Sequence, residues 1–213
     1  MSKNQTPDAV TAALAAQGNE FVVINATTGL NSVSSALATN TQIARASGDL
    51  TGFYHWSQTV NSSATTPDKS DPIGEAHHFL AHSGIASGDF AALDHEEALG
   101  TWVQRVAYAV TWLQTVAQES GARSLIYLNW SWIKGLRTAA TAEQWAVLTS
   151  FPLWLAEPTG TPGQHSTVTS QDGTNPDCWP ILVHQYATEP FMGGTIDRNW
   201  TPDLAALRKL AMP

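Results

Sequence analysis

The chain has 213 residues, enough for one domain with a full core, and it is 43% hydrophobic but only 13% charged, with nine Trp. Its net charge of −8 argues against DNA, RNA or an anionic membrane as the main partner, and suits a neutral glycan, whose sugar rings lie on aromatic faces, better. No run of about 18 apolar residues is present, so no transmembrane helix is expected; Met1 to Gln5 hold no hydrophobic leader, so no secretory signal is expected; the single cysteine, Cys178, excludes an intrachain disulfide and a cysteine metal cluster.

Residues 7–17 are Ala-rich, with Val10 and Leu14 four apart, and predict a short helix ended at Gly18. Phe21-Val22-Val23-Ile24 reads as a buried strand, and residues 32–46 as small and polar with weak helical spacing. A strand over Leu50–Trp56 is followed by a polar loop over 57–71, and Asp71-Pro72 opens a helix running to about His82. Phe90 to Glu96 predicts a strand. Residues 97–119 predict a long helix with Trp102, Val106, Val110, Leu113 and Val116 as its apolar stripe and Gly121 at its end. Ser124–Asn129 is the next strand, and 141–149 a helix capped by Thr141. Leu153–Ala156, Ile181–Tyr186 and Gly194–Asp197 complete the strands around a Gly/Pro/Thr/Ser loop over 158–178, and Pro202–Leu210 is a closing helix. Short apolar strands alternating with helices predict a parallel sheet. At this length an α/β fold follows: an irregular TIM-like (β/α) barrel with fewer helices than strands, spanning residues 1–213 as one domain.

Chemistry concentrates in Ala92-Leu93-Asp94-His95-Glu96-Glu97. On a strand, residues two apart share a face, so Asp94 and Glu96 project side by side and His95 turns away. Two crowded carboxylates cannot both ionise freely, so one keeps its proton; a proton donor beside a fixed negative charge is what glycoside cleavage needs. Alone, such a pair is more often an acidic turn, with Glu97 opening a helix. Here Tyr54-His55-Trp56, Tyr127/Asn129, Ala156/Glu157 and Gln185/Tyr186 also fall at strand C-termini, where barrel enzymes carry their sites.

The ordered segments Phe21–Gly29, Gly52-Phe53-Tyr54-His55, Leu93–Glu96, Ile126-Tyr127, Leu153–Ala156, Gln185-Tyr186 and Ile196-Asp197-Arg198-Asn199 together resemble the family 25 glycoside hydrolases, the lysozyme-type muramidases of phage endolysins and bacterial autolysins. The resemblance implies cleavage of the β-1,4 bond after N-acetylmuramic acid in peptidoglycan, with net retention and no cofactor. It makes Glu96 the general acid/base, Asp94 its carboxylate partner and Asp197 the carboxylate of the last strand. Tyr54, Tyr127, Trp154 and Gln185 match groove-lining positions, with His55 as a hydrogen-bonded wall residue. The expected partner is the peptidoglycan glycan strand, bound by a monomer without nucleic acid or membrane insertion. The protein would be made in a host cytoplasm without a signal peptide and reach the wall through a holin. The family opens with D-x-S-x-x-Q on its first strand; Ser2 and Gln5 fit it, and the aspartate would fall one place before Met1. Asp8 is a poor substitute, being at the start of the following helix. Asn25 stands where many members carry Lys, and Thr28 where many carry Glu.

Glu75, His78 and His82 have spacings that can hold a metal on one helix face, but no second such motif accompanies them and a solvated helix face is the expectation. His165 and His184 have no neighbours that suggest ligation. No G-x-S-x-G or Gly-rich phosphate loop is present, which leaves serine-hydrolase and nucleotide-binding readings unsupported.

Overall fold

The computed structural model describes residues 20–59, 71–97, 99–191 and 194–213. The predicted helix over 7–17, the motif residues Ser2 and Gln5, Asp8 and most of the loop over 57–71 lie outside the described residues. The strands are β1 (Phe21–Thr28), β2 (Ser32–Val33), β3 (Leu50–Trp56), β4 (Phe90–Asp94), β5 (Leu125–Asn129), β6 (Leu153–Ala156), β7 (Ile181–Phe191) and β8 (Gly194–Trp200). They form one sheet in the order β2-β1-β3-β4-β5-β6-β7-β8. β1 and β3 to β7 run parallel, and β2 and β8 are antiparallel edges.

Among the described residues β2 and β8 do not pair with each other. Among the described residues the sheet is an open, curled half-barrel, in line with the expected α/β class but not a full TIM-like barrel, and β8 turns back on β7 as an antiparallel edge. The α/β class and the shortage of helices relative to strands hold among the described residues, with six helices for eight strands.

The helices are α1 (Leu37–Ser47), α2 (Pro72–His82), α3 (Trp102–Ser120), α4 (Trp130–Ala139), α5 (Ala142–Ser150) and α6 (Leu204–Arg208). Capping chemistry sets their starts. Asp71 Oδ1 accepts the Gly74 N–H at 2.8 Å, with Pro72 in the first position of α2. Thr101 and Gln104 form a capping box, which starts α3 five residues later than the predicted 97. Thr141 and Gln144 form another for α5. α4 follows β5 without a loop: Asn129, the last residue of the strand, caps it by accepting the Trp132 N–H at 3.1 Å.

Parallel strands covered on both faces read as continuous apolar runs, and the two faces here have different coverings. Ile24, Phe53, Ala91, Leu93, Ile126, Leu128, Leu153 and Leu155 face the helical layer. Val23, Phe90, Ala92, Leu125, Trp154 and Val183 fill the concave side, where Leu207 and Leu210 of the closing segment pack on them. The concave face is thus plugged at its lower end by carbon, and its polar groups gather at the strand C-termini. Gly52 permits this plug: a Cβ there would come within 2.3 Å of the Phe90 ring. None of the described helices is long and apolar enough to cross a membrane.

Gly52→Ala forces the fully buried Phe90 ring aside and is expected to destabilise the fold by about 1–3 kcal/mol, the usual cost of overpacking. Chemical denaturation measures it; an unchanged midpoint would mean that the ring has room to move.

Candidate active site

β4 ends at Asp94, two residues short of the predicted Glu96, yet the alternation of side chains continues past it. Ser57 N–H donates to the Asp94 carbonyl at 3.0 Å and His95 N–H donates to the Tyr127 carbonyl at 3.3 Å. The backbone thus stays extended between its neighbours for one more step. Asp94 and Glu96 act on the same set of groups, while the His95 ring is enclosed on the opposite, helical side. Asp94 is 8% exposed, Glu96 is half-buried and Asp197 on β8 is exposed.

The structure brings Asp94, Glu96, Asp197, Tyr54 and Tyr127 into one electrostatic cluster. Burial lifts the Asp94 carboxyl well above the usual carboxylate range, and the charges of Glu96 and Asp197 add to the shift. Glu96 is also raised, by burial and then by Asp197. Asp94 was expected to press on Glu96; both carboxyls are raised, Asp94 by burial, Glu96 and Asp197, and Glu96 by burial and Asp197. Oδ1 of Asp94 is buried and has no hydrogen-bond partner among the described residues, which leaves a polar atom free for a ligand. Tyr54 and Tyr127 are held un-ionised by burial and by the surrounding carboxylates.

Aromatic and amide side chains frame the acids. Tyr127 OH donates to Gln185 Oε1 at 2.8 Å, and its ring meets Trp154 edge-on with centroids 4.9 Å apart. Trp154 Nε1–H donates to Asn199 Oδ1 at 2.8 Å. Thr188 Oγ1–H donates to Asp197 Oδ1 at 2.8 Å, tying the acid of β8 to β7. Asn25 hydrogen-bonds Tyr54. Asn25 was singled out in the sequence as a departure from the family's usual Lys, whereas the contribution of Asn199 escaped the sequence reading; its strand parity, two residues from Asp197, is the signal that places it here.

His55 does not line this groove. Alternation sends it to the helical face, where it is fully buried, stacked on Trp112 with centroids 5.6 Å apart. A bulge in the β1–β3 register after Asn25 brings Thr27 beside it. Thr27 Oγ1 and His55 Nδ1 lie 2.8 Å apart, and His55 Nε2 is 2.8 Å from Glu75 Oε2. This Thr–His–Glu chain has the connectivity of a nucleophile–base–acid triad, but all three residues are sealed from solvent and no substrate reaches them. Glu75 Oε2 also accepts from Gln58 N–H at 3.0 Å and from Tyr108 OH. The helix face expected to be solvated therefore buries its glutamate. His78 instead lies 3.2 Å from the Ser32 carbonyl, so Glu75 and His78 serve separate partners. His184 accepts the Gly163 N–H at 3.2 Å and approaches the Glu157 carbonyl at 2.8 Å, which pins the loop after β6.

Carboxyls that keep protons beyond the usual range, next to an exposed carboxylate and walled by tyrosine and indole rings, are the equipment of an enzyme that cleaves glycosidic bonds. The family model for glycosyl hydrolases family 25 matches residues 2–194. The chain belongs to this family and is a glycoside hydrolase. Among solved structures it is similar to a family 25 lysozyme from Aspergillus fumigatus (22% identity, 100% of this chain and 97% of that chain, TM-score 0.74). It is also similar to a muramidase from Acremonium alcalophilum (23% identity, 98% of this chain and 94% of that chain, TM-score 0.72). The modular Cpl-1 endolysin, solved with a peptidoglycan analogue, matches at 18% identity over 94% of this chain and 52% of that chain, with a TM-score of 0.66. No curated protein matches the chain.

The raised Asp94 carboxyl has a consequence for stability. The unfolded chain releases this proton in the ordinary carboxylate range, whereas the folded chain holds it to higher pH, so native stability falls as pH rises through that window. Asp94→Asn removes the loss: the variant is expected to melt above wild type at pH 7, with the gap closing in acid below the ordinary aspartate value. Thermal midpoints recorded against pH read this directly, and a variant less stable than wild type at pH 7 would contradict it.

Proposed function

We propose that the protein is an N-acetylmuramidase, a lysozyme that cleaves the β-1,4 bond between N-acetylmuramic acid and N-acetylglucosamine in peptidoglycan with retention of configuration. The observation that carries this reading is the graded trio of acids. Asp94 is buried and raised, Glu96 is raised and half-buried, and Asp197 is exposed at the rim.

Glu96 is the proton donor in this reading. It is more exposed than Asp94, and burial together with the charge of Asp197 keeps its proton on toward neutral pH. Protonation of the glycosidic oxygen lets the bond break toward an oxocarbenium-like sugar. Asp94 sits beneath that centre with Oδ1 free. It either orients the acetamido group of the muramic acid, whose carbonyl oxygen then closes on the anomeric carbon, or gives its proton up to solvent and attacks that carbon as the carboxylate. Either route proceeds through an intermediate on the opposite face, which Glu96, now a base, helps water to open, and configuration is retained. Asp197 contributes negative charge facing the developing cation. Tyr54, Tyr127 and Trp154 form the wall for pyranose rings, and Gln185 fixes Tyr127. The partner is the glycan strand, and no cofactor enters the chemistry. Likeness to the Cpl-1 endolysin supports a lytic role, in which the protein is made in a host and released to the wall through a holin.

Removal of a general acid typically lowers rate about 10²–10⁴-fold. Glu96→Gln is therefore expected to lose wall-clearing activity by that factor in a turbidity assay on purified cell walls while still pelleting with them. Equal wall binding without clearing by either form would mark a glycan-binding relative instead.

A further inference from the structure

We propose that His95, enclosed behind the acid pair, is a positioning residue that holds Asp94 and Glu96 at their working separation through Ser57 and the first turn of α3. The inference rests on the assignment of Asp94 and Glu96 as the reacting acids.

His95 lies between the two acids in sequence and is fully buried. Three elements grip it. Its N–H reaches the Tyr127 carbonyl of β5, its Nδ1 lies 3.0 Å from Ser57 Oγ just past β3, and its Nε2 lies 3.0 Å from the Arg105 carbonyl in α3. A carbonyl only accepts, so Nε2 carries the proton and Nδ1 accepts from the Ser57 hydroxyl. Burial pulls the ring's pKa down to about 3, so this one tautomer persists across the range in which the acids titrate. Ser57 is itself fully buried and also donates its backbone N–H to the Asp94 carbonyl. One serine thus fastens the backbone of one acid and the ring beside the other.

The anchor on the far side is rigid. The Arg105 guanidinium lies over both Trp102 and Trp132, 4.3 and 4.5 Å from their ring centroids, and α3 begins in the Thr101/Gln104 capping box. The His95 ring stacks on Tyr108 with centroids 5.5 Å apart and planes 10° apart. Glu96 lies past the end of β4 and has no strand partner among the described residues, so the ring of its neighbour anchors the segment there. A misplacement of about 1 Å at a reacting group can cost on the order of 10² in rate.

The test compares wild type with Ser57→Ala, His95→Phe and His95→Gln. Ser57→Ala removes the partner of Nδ1 at little steric cost; His95→Phe keeps the stack and removes both ring hydrogen bonds; His95→Gln can still donate to the Arg105 carbonyl. Two readouts are taken: kcat and KM on soluble peptidoglycan fragments well below each variant's melting temperature, and carboxyl ¹³C titrations of Asp94 and Glu96. The expected result is a kcat lowered about ten- to a hundredfold in His95→Phe, less in Ser57→Ala, with partial recovery in His95→Gln and KM within about twofold throughout. The Asp94 and Glu96 titrations, set first by burial and then by Asp197, and for Asp94 also by Glu96, move toward ordinary carboxylate values in the same order. Folded variants with wild-type kcat and superimposable titrations would overturn the proposal and leave His95 as core packing. If His95→Phe does not fold, Ser57→Ala decides by the same two readouts. A wild type without activity would defeat the muramidase reading, and the titrations would still decide the role of His95.

Discussion

The structure depends on one constraint: Asp94 is taken out of water beside Glu96 and Asp197. Burying a carboxylate without a compensating partner is expensive enough that the group keeps its proton instead. Everything near it is arranged to make that protonation useful. The sheet supplies a rigid floor of Phe90, Ala92 and Trp154, the closing segment seals it with Leu207 and Leu210, and β8 returns antiparallel to β7 so that Asp197 stands at the rim. The fold carries a destabilising feature at one edge of an otherwise apolar concave face, as enzymes commonly do.

The opposite face of the same strands is polar too, and there both histidines are matched. Alternation places Tyr54 and Asp94 on the concave side and His55 and His95 on the helical side. His55 is bound between Thr27 and Glu75, and His95 between Ser57 and Arg105. Glu75 Oε2 collects His55, Tyr108 and the Gln58 N–H. Satisfied networks of this kind rigidify, whereas a lone unpartnered group costs stability. The two faces contrast: the enclosed face spends its hydrogen bonds on itself, and Asp94 Oδ1 on the concave face has none among the described residues.

Much of this was legible before any coordinates. Apolar runs such as Phe90–Leu93 marked the strands, and Asp71-Pro72 and Thr141 marked helix starts through their capping chemistry. The two-residue spacing of Asp94 and Glu96 predicted their shared face, because strand parity is local. Long-range consequences were not legible. The start of α3 at Trp102 depended on which of several polar residues caps it, and Thr101 wins because Gln104 reciprocates. α4 was hidden because Gly135 interrupts it and because its cap, Asn129, already belongs to a strand. His55 was placed on the wrong side because its neighbour Tyr54 carried the sugar-binding resemblance, and adjacent residues on a strand face opposite ways. Glu75 looked solvated on its helix since its partner His55 is twenty residues away. The antiparallel return of β8 was equally invisible, since it rests on the pairing of β7 with β8.

The central claim is that Glu96, pressed by Asp197 and standing above Asp94, opens the glycan after muramic acid. The most direct measurement digests purified peptidoglycan with the wild-type protein, reduces the fragments with borohydride and identifies the reduced sugar by mass spectrometry. Reduced N-acetylmuramic acid at the new ends is the result the account predicts. Reduced N-acetylglucosamine at those ends, or no new reducing ends, would contradict it.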